Sequence, residues 1–241
     1  WLWDKRLGLF LIVLLLVSGT LNAVLKAFFG LPRPPAGLHK TVPPLTGNGF
    51  PSGHAQTSTA FWSAIALISR GWWILLAVAM ITLVAFSRVY LGVHFVGDVL
   101  GGVAIGLGLG VAGYVGFRAS FWGRLRVPQR LVLAVVLPAA FSGVLLLLGE
   151  AAYLFWGLLT GLGVGYVLEE AWVGMERART VGSALLRVAI GIPAVGGLAL
   201  LGMRFSDPMI VLPLFLVLGF AVSLVLPWAF LRLEKALSTN R

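Results

Sequence analysis

Long apolar stretches fill most of the chain, and most of them are about as long as a membrane-spanning helix. Crossing the hydrocarbon core takes about 20 residues at about 1.5 Å rise per residue. Eight stretches reach or approach this length, at about 7–29, 54–69, 72–90, 94–117, 130–148, 152–168, 184–202 and 209–231. The pattern predicts an all-α fold, a polytopic transmembrane helix bundle with about eight membrane segments.

Composition supports a membrane protein over an ordinary soluble domain. Hydrophobic residues make up 59% of the 241 residues and charged residues only 11%, and the mean hydropathy is +1.00. The chain has no cysteine, which excludes disulfides and thiolate metal sites. Its net charge is +10, but no basic stripe alternates with aromatic residues, so the expected partner is the lipid bilayer and not nucleic acid.

Three short segments interrupt the apolar pattern with ionisable groups: Lys26–Pro34, Pro51–His54 and Ser87–Asp98. Such groups are costly to dehydrate in or beside a membrane segment, so a cluster of them is a functional-site hypothesis. If the eight segments cross alternately, all three lie at one membrane face. The side chains concerned are three cations, two histidines and one carboxylate, namely Lys26, Arg33, Arg88, His54, His94 and Asp98.

The basic residues divide unequally between the two predicted membrane faces. Five of the 18 lie on the face with the three segments: Lys26, Arg33, Lys40, Arg88 and Arg204. The other thirteen lie opposite: Lys5, Arg6, Arg70, Arg118, Arg124, Arg126, Arg130, Arg177, Arg179, Arg187, Arg232, Lys235 and Arg241. Because positive charge concentrates in cytoplasmic loops, we expect the three segments to face the periplasm or exterior.

The spacing of His94 and Asp98 indicates a catalytic pair. Four residues apart at a helix start, they share one face, so the carboxylate can accept a hydrogen bond from one ring nitrogen. The other nitrogen is then free to attack, as in the orienting logic of a catalytic triad. His54 lies at another predicted helix start beside Ser52, a candidate cap, and Gly53, where backbone N–H groups and the helix dipole suit an anion.

The cations complete a candidate phosphate site. Arginine matches phosphate oxygens in a bidentate way, and Arg33, Arg88 and Lys26 together can neutralise a pentacoordinate phosphoryl transition state without a metal ion. The two histidines then divide the work, one as nucleophile and the other as general acid for the leaving group.

These segments together resemble the type-2 phosphatidic acid phosphatase superfamily, whose signature is three ordered motifs. Lys26 to Pro34 matches the first motif, Pro51 to His54 the second, and Ser87-Arg88 followed by His94 and Asp98 the third. No motif residue departs from the pattern. The resemblance covers about residues 7–117.

The resemblance implies a metal-independent, cofactor-free phosphatase that works through a phosphohistidine. His94 would attack phosphorus, His54 would protonate the leaving oxygen, and Asp98 would orient His94. Phosphate-binding roles would fall to Lys26, Arg33, Arg88, Ser52 and Gly53. The implied substrates are membrane lipid phosphates or diphosphates: a polyprenyl diphosphate such as undecaprenyl diphosphate, phosphatidate, or phosphatidylglycerol phosphate. A bacterial inner membrane is the expected location.

Two alternatives use the same site. A lipid phosphotransferase would pass the phosphoryl group to another lipid instead of water. A non-catalytic lipid-phosphate transporter or receptor would keep only the anion site, although the intact pair of His54 and His94 argues against it.

The resemblance divides the chain into a phosphatase core at 1–120 and a C-terminal transmembrane extension at 121–241, whose role it leaves open. Family members usually carry one or two helices before the first motif helix, so we expect N-terminal helices to be missing before Trp1.

Two features outside the motifs have structural interpretations. Glycines recur every fourth residue at 102, 106 and 110 and at 157, 161 and 165, which predicts close helix packing and allows a homo-oligomer. The acidic residues Glu169, Glu170 and Glu176 are predicted to lie on a solvated surface.

Overall fold

The computed structural model describes residues 4–40, 47–119, 121–147, 153–178, 180–202 and 204–239. Within these ranges the regular structure is helical and no strand occurs. This confirms the all-α prediction. Arg179 and Arg241 of the charge count and Ser120 at the predicted division of the chain lie outside the described residues.

Six helical stretches of the described residues are long and apolar enough to cross a membrane. They are Lys5–Phe29, Trp72–Tyr90, Val96–Arg124, Val127–Leu147, Val181–Gly202 and Pro208–Leu237. The other two predicted segments are also helices, Gly53–Ser69 with 17 residues and Tyr153–Leu168 with 16, and both are shorter than the six spans. The first of them also carries buried polar side chains, including Gln56 and Thr59. The prediction of about eight segments thus corresponds to six full-length spans and two short helices.

The chain forms two compact units. The first, Phe10–Phe121, contains most of α1 (Lys5–Phe29) together with α2 (Gly53–Ser69), α3 (Trp72–Tyr90) and α4 (Val96–Ala119). Helix α2 packs most extensively against α4, and next against α3.

Glycine explains the close approach of α2 and α4. A Cβ atom at Gly102, Gly106 or Gly110 would overlap backbone or side-chain atoms of α2 or of Ser52 just before it. Without side chains at these positions, the two backbones can approach closely over two turns. The start of α2 is thereby held against the start of α4.

The second unit comprises Trp1–Leu9 and Trp122–Arg241. Its helices are α5 (Phe121–Arg124), α6 (Val127–Leu147), α7 (Tyr153–Leu168), α8 (Val181–Gly202), α9 (Pro208–Phe220) and α10 (Leu226–Thr239). The predicted glycine packing recurs here, because Gly157 and Gly161 face the carbonyl oxygens of Leu212 and Leu216 on α9.

Both glycine runs are therefore covered by a helix of the same chain. A homo-oligomer stays a prediction, but it would have to use other surfaces than these glycine faces.

The predicted solvated surface at Glu169 is wrong. Glu169 is only 1% exposed, and its carboxylate accepts hydrogen bonds from Lys5 Nζ and from the Met175 backbone N–H, both at 2.6 Å. A buried carboxylate needs such partners because dehydrating an unpaired charge costs several kcal/mol. Its neighbour Glu170 agrees better with the prediction, since its side chain is 40% exposed and pairs with Arg130.

Candidate active site

The first motif lies at the carboxyl end of α1 and in the loop that follows. Lys26, in the last turn of α1, donates hydrogen bonds to the carbonyl oxygens of Asn48 and Gly49. Asn48 returns a hydrogen bond from its side-chain amide to the Lys26 carbonyl oxygen at 2.8 Å. The returning loop is therefore tied to the end of α1, directly before the second motif.

Arg33 joins the first motif to the third. Its guanidinium donates to the Gly47 carbonyl at 3.2 Å and to the Val93 carbonyl at 3.1 Å. It also lies 3.1 Å from His94 Nε2. A guanidinium has only donors, so Nε2 must accept this hydrogen bond and carries a lone pair, not a proton.

The predicted pair of His94 and Asp98 forms. His94 Nδ1 lies 3.3 Å from Asp98 Oδ2, and both residues are 5% exposed. Because Nε2 is the acceptor toward Arg33, the proton resides on Nδ1 and is donated to the carboxylate. The Phe95 backbone N–H also donates to Asp98 Oδ2, at 3.0 Å. The carboxylate thus fixes the tautomer that leaves Nε2 nucleophilic.

Electrostatics keep this imidazole neutral. Burial and the neighbouring Arg33 guanidinium lower the pKa of His94 to about 4 from its ordinary 6.5, although the hydrogen bond to Asp98 acts in the opposite direction. A neutral imidazole is the form that can attack phosphorus.

The second motif starts α2 beside this pair. The Ser52 backbone N–H donates to the Asp98 carbonyl oxygen at 2.9 Å. Ser52 occupies the N-cap position, as the sequence suggested, but its side chain makes no capping hydrogen bond. The Ser52 hydroxyl is buried and has no partner within the described part of the chain. An anion at the start of α2 would supply one.

His54 and Arg88 stand apart from these direct contacts. His54 is exposed on the first turn of α2, within electrostatic range of Arg88, Arg33 and Lys26. The Arg88 Nε donates to the Ser87 hydroxyl at 3.1 Å. In the described ranges, no hydrogen bond joins either side chain to another predicted site residue. The structure therefore links Arg33, His94, Asp98 and Ser52 by hydrogen bonds. Lys26 is tied to the neighbouring loop through the Asn48 and Gly49 carbonyls, and His54 and Arg88 stay outside these contacts.

Two buried amides near the site escaped the sequence reasoning. Asn22 and Gln56 hydrogen bond to each other at 3.0 Å, directly behind the second motif. One signal was available, because Ser18, Asn22 and Lys26 recur every fourth residue in an apolar run and so share one face of α1.

Known proteins with recognisable similarity are phosphatases. The chain is 36% identical to phosphatidylglycerophosphatase B of Bacillus subtilis over 121 residues, which cover 44% of this chain and 54% of that protein. It is 30% identical to undecaprenyl-diphosphatase of Sulfolobus acidocaldarius over 105 residues, covering 42% of this chain and 51% of that protein. It is 29% identical to glucose-6-phosphatase 3 of Mus musculus over 233 residues, covering 79% of this chain and 63% of that protein.

The chain thus spans between about half and just under two-thirds of the length of these curated relatives. No solved structure matches it.

Two family models match separate parts of the chain. One describes the PAP2 superfamily and matches residues 7–122, which contain all three motifs. The other describes the transmembrane extension of PAP2 superfamily phosphatases and matches residues 153–238. With the three motifs in order and both parts of the chain matched, this protein belongs to the PAP2 superfamily.

Proposed function

We propose that this protein is a membrane-integral phosphatase that hydrolyses a lipid phosphate or diphosphate through a phosphohistidine at His94. The observation that carries the proposal is the pair of contacts that the His94 ring makes, with Arg33 on one side and Asp98 on the other. Arg33 lies 3.1 Å from His94 Nε2, and Asp98 lies 3.3 Å from Nδ1. An oriented, neutral nucleophile beside a fixed cation is what attack on a phosphate anion requires.

In the first step, His94 Nε2 attacks phosphorus and the bond from phosphorus to the lipid oxygen breaks. His54 donates a proton to that departing oxygen, so the lipid leaves as an alcohol, or as a lipid monophosphate when the substrate is a diphosphate. Asp98 stabilises the positive charge that develops on the His94 ring. Lys26, Arg33, Arg88 and the Ser52 hydroxyl with the Gly53 backbone N–H hold the phosphoryl oxygens.

In the second step, water attacks the phosphohistidine. His54, now unprotonated, takes a proton from that water, and inorganic phosphate leaves while His94 regains its lone pair. The cycle needs no cofactor. Lys26, Arg33 and Arg88 supply the positive charge that a metal ion would otherwise provide, and we expect activity to persist in EDTA.

The proposed location is a bacterial inner membrane with the site at the periplasmic or exterior face. The unequal division of Lys and Arg supports this orientation. Phosphatidylglycerophosphatase B and undecaprenyl-diphosphatase are named for membrane lipids that carry phosphate, which supports the substrate class.

A variant of the nucleophile tests the mechanism. His94→Ala should abolish phosphate release and covalent labelling by a 32P-labelled substrate, while the protein still purifies as a folded bundle. His39→Gln is the matched control, because the new amide can still donate to the Pro34 carbonyl that His39 Nε2 contacts at 3.0 Å. Turnover by His94→Ala would exclude His94 as the nucleophile.

A substrate screen separates the alternatives. Phosphate release should be measured with phosphatidate, phosphatidylglycerol phosphate, undecaprenyl diphosphate and, as a water-soluble counterpart, glucose 6-phosphate. Release from a lipid supports the proposal, whereas a preference for glucose 6-phosphate contradicts it. Phosphorylated acceptor lipid without free phosphate would indicate a phosphotransferase. Binding without turnover would indicate a transporter or receptor.

A further inference from the structure

Three buried polar side chains link α1 to α2 behind the second motif. Ser18 and Asn22 lie one turn apart on α1 and are 0% and 7% exposed, and Gln56 on α2 is 0% exposed. Burying a primary amide costs free energy unless its donors and acceptors are paired. Two amides and a hydroxyl in one apolar interface therefore call for an explanation beyond packing.

Their hydrogen bonds form one network. Asn22 Nδ2 donates to Gln56 Oε1 at 3.0 Å and to the Pro51 carbonyl oxygen at 3.1 Å. Gln56 Nε2 donates to the Ser18 carbonyl oxygen at 2.8 Å. We call Asn22 and Gln56 the amide clamp. It holds both Pro51, two residues before α2, and the first turn of that helix.

The clamp lies next to residues with proposed roles at both of its ends. On α1, Asn22 is one turn before Lys26, so the two side chains project from the same face. On the α2 side, Asn22 contacts Gly53, since a Cβ atom there would lie 2.9 Å from Asn22 Oδ1. The clamp thus connects Lys26 with the segment that carries Ser52, Gly53 and His54.

A second link fixes the same segment to α4, the helix that carries Asp98. The Ser52 N–H donates to the Asp98 carbonyl at 2.9 Å, and Gly102 faces the Ser52 carbonyl. The remaining α2–α4 contact runs along glycines, whose surface allows close approach but has no side chains to set the axial position of α2. Directional hydrogen bonds can set it.

We propose that Asn22 and Gln56 are positioning residues of the active site. The clamp holds the start of α2 in register with Lys26, so that His54 and the N–H groups around Gly53 face the phosphoryl group that Lys26 binds and His94 attacks. This inference rests on the proposed phosphatase function. It assigns neither amide a contact with substrate.

The test uses Asn22→Leu, Gln56→Leu and the double variant in the full chain, purified in detergent. Each single variant leaves an unpaired buried amide, whereas the double variant replaces both amides by apolar groups and should regain part of the lost thermal stability, with the Pro51 carbonyl left without its donor. If the clamp positions α2, all three variants lose kcat by roughly 10- to 100-fold, because small misplacements of reacting groups cost that much. The double variant recovers stability but not kcat, and inhibition by vanadate, a mimic of the transition state, weakens in parallel.

Ser63→Ala is the matched control. Its hydroxyl is buried on α2 but bonds within its own helix, to the Thr59 carbonyl at 2.6 Å, so kcat and vanadate inhibition should stay within about twofold of wild type. A double variant with wild-type kcat would overturn the proposal and leave the clamp a stability feature alone.

Hydrogen exchange separates this inference from the proposed function. Backbone amides at residues 52–57 should exchange faster in the double variant than in Ser63→Ala, whatever the substrate. If wild-type protein releases no phosphate from any lipid, the proposed function fails, and this comparison still decides whether the clamp holds α2. Unchanged exchange would overturn the clamp even in an active enzyme.

Discussion

At the scale of single residues, the contact between Arg33 and His94 has a mechanistic consequence. The guanidinium occupies the lone pair on His94 Nε2 at 3.1 Å, the same lone pair that attacks phosphorus in the proposed mechanism. Phosphate oxygens offer Arg33 a stronger, charge-assisted and bidentate partner. Binding of substrate would therefore draw the guanidinium toward the phosphate and release the nucleophile at the same moment.

The lowered pKa of His94 predicts a pH profile. A protonated imidazole cannot attack, and a pKa near 4 keeps His94 neutral at pH values where an ordinary histidine would be charged. The acid limb of kcat/KM, which reports the free enzyme, should therefore lie below pH 6.5. Kinetics with a soluble short-chain substrate between pH 4 and 8 measure it.

Replacing Arg33 tests whether its positive charge contributes to the lowered pKa of His94. Arg33→Gln should move that acid limb upward, because one of the three influences that lower the pKa of His94, namely burial, Arg33 and Lys26, is lost. Its residual activity should also be low, since a phosphate ligand is missing. An acid limb that stays in place would show that Arg33 does not act on His94.

At the scale of helices, the α2–α4 contact depends on the absence of side chains at particular glycines. Gly106 faces the Gln56 carbonyl and the Thr59 side chain, whereas Gly108 on the same helix has no atom within 4 Å of its Cβ position. Alanine has a higher helix propensity than glycine at both positions. A difference in stability between Gly106→Ala and Gly108→Ala therefore reports packing and not helix propensity.

We predict opposite outcomes for the two alanines. Gly106→Ala places a methyl 2.7 Å from Thr59 Cβ and closer still to the Gln56 carbonyl, so the helices must separate, at a cost of about 1–3 kcal/mol. Gly108→Ala should leave thermal stability in detergent unchanged or slightly raised. Equal melting temperatures for the two variants would contradict this account of the α2–α4 interface.

In the second unit, a buried carboxylate stabilises the segment that follows α7. Glu169, at the end of α7, accepts from Lys5 and from the Met175 backbone N–H. Glu169→Ala should lower stability by about 1–3 kcal/mol, because the buried N–H loses its acceptor. Lys5, with 29% of its side chain exposed, can still reach solvent.

Glu170→Ala is the control for this change. Its side chain is 40% exposed, and an exposed ion pair contributes only about 0–1 kcal/mol. Thermal unfolding of both variants should show the larger decrease for Glu169→Ala, and a larger decrease for Glu170→Ala would be inconsistent with the burial argument.

At the scale of the whole molecule, the unequal distribution of Lys and Arg predicts the orientation of the protein in the membrane. The chain has no native cysteine, so a single introduced thiol reports its own side of the membrane. Lys40→Cys, on the predicted face of the three motifs, should react with a membrane-impermeant maleimide in intact cells. Arg126→Cys, on the face predicted to lie opposite, should react only after permeabilisation. The reverse pattern would invert the proposed topology.

The sequence alone determined the helical class, the membrane setting and the choice of chemical groups. These depend on local periodicity and on residue identity: an apolar run of sufficient length must be helical in lipid, and the four-residue spacing lets the side chains of His94 and Asp98 meet, although His94 lies just before α4 begins. It also contained the three motifs that resemble the family. All of this is set by residues close together in the chain or by their fixed order.

The tertiary structure decided what depends on contacts between distant residues. Arg33 beside His94 Nε2, Asn22 against Gln56 and Gly53, and Glu169 buried by Lys5 each join residues far apart in sequence, and periodicity contains no information about such distances. Glu169 illustrates the reason: next to Glu170 and near several arginines it has the composition of a solvated surface, yet packing at the end of α7 encloses it. The burial of a side chain and its hydrogen-bond partners depend on the tertiary structure, because they are set by which helices pack together and at which turn.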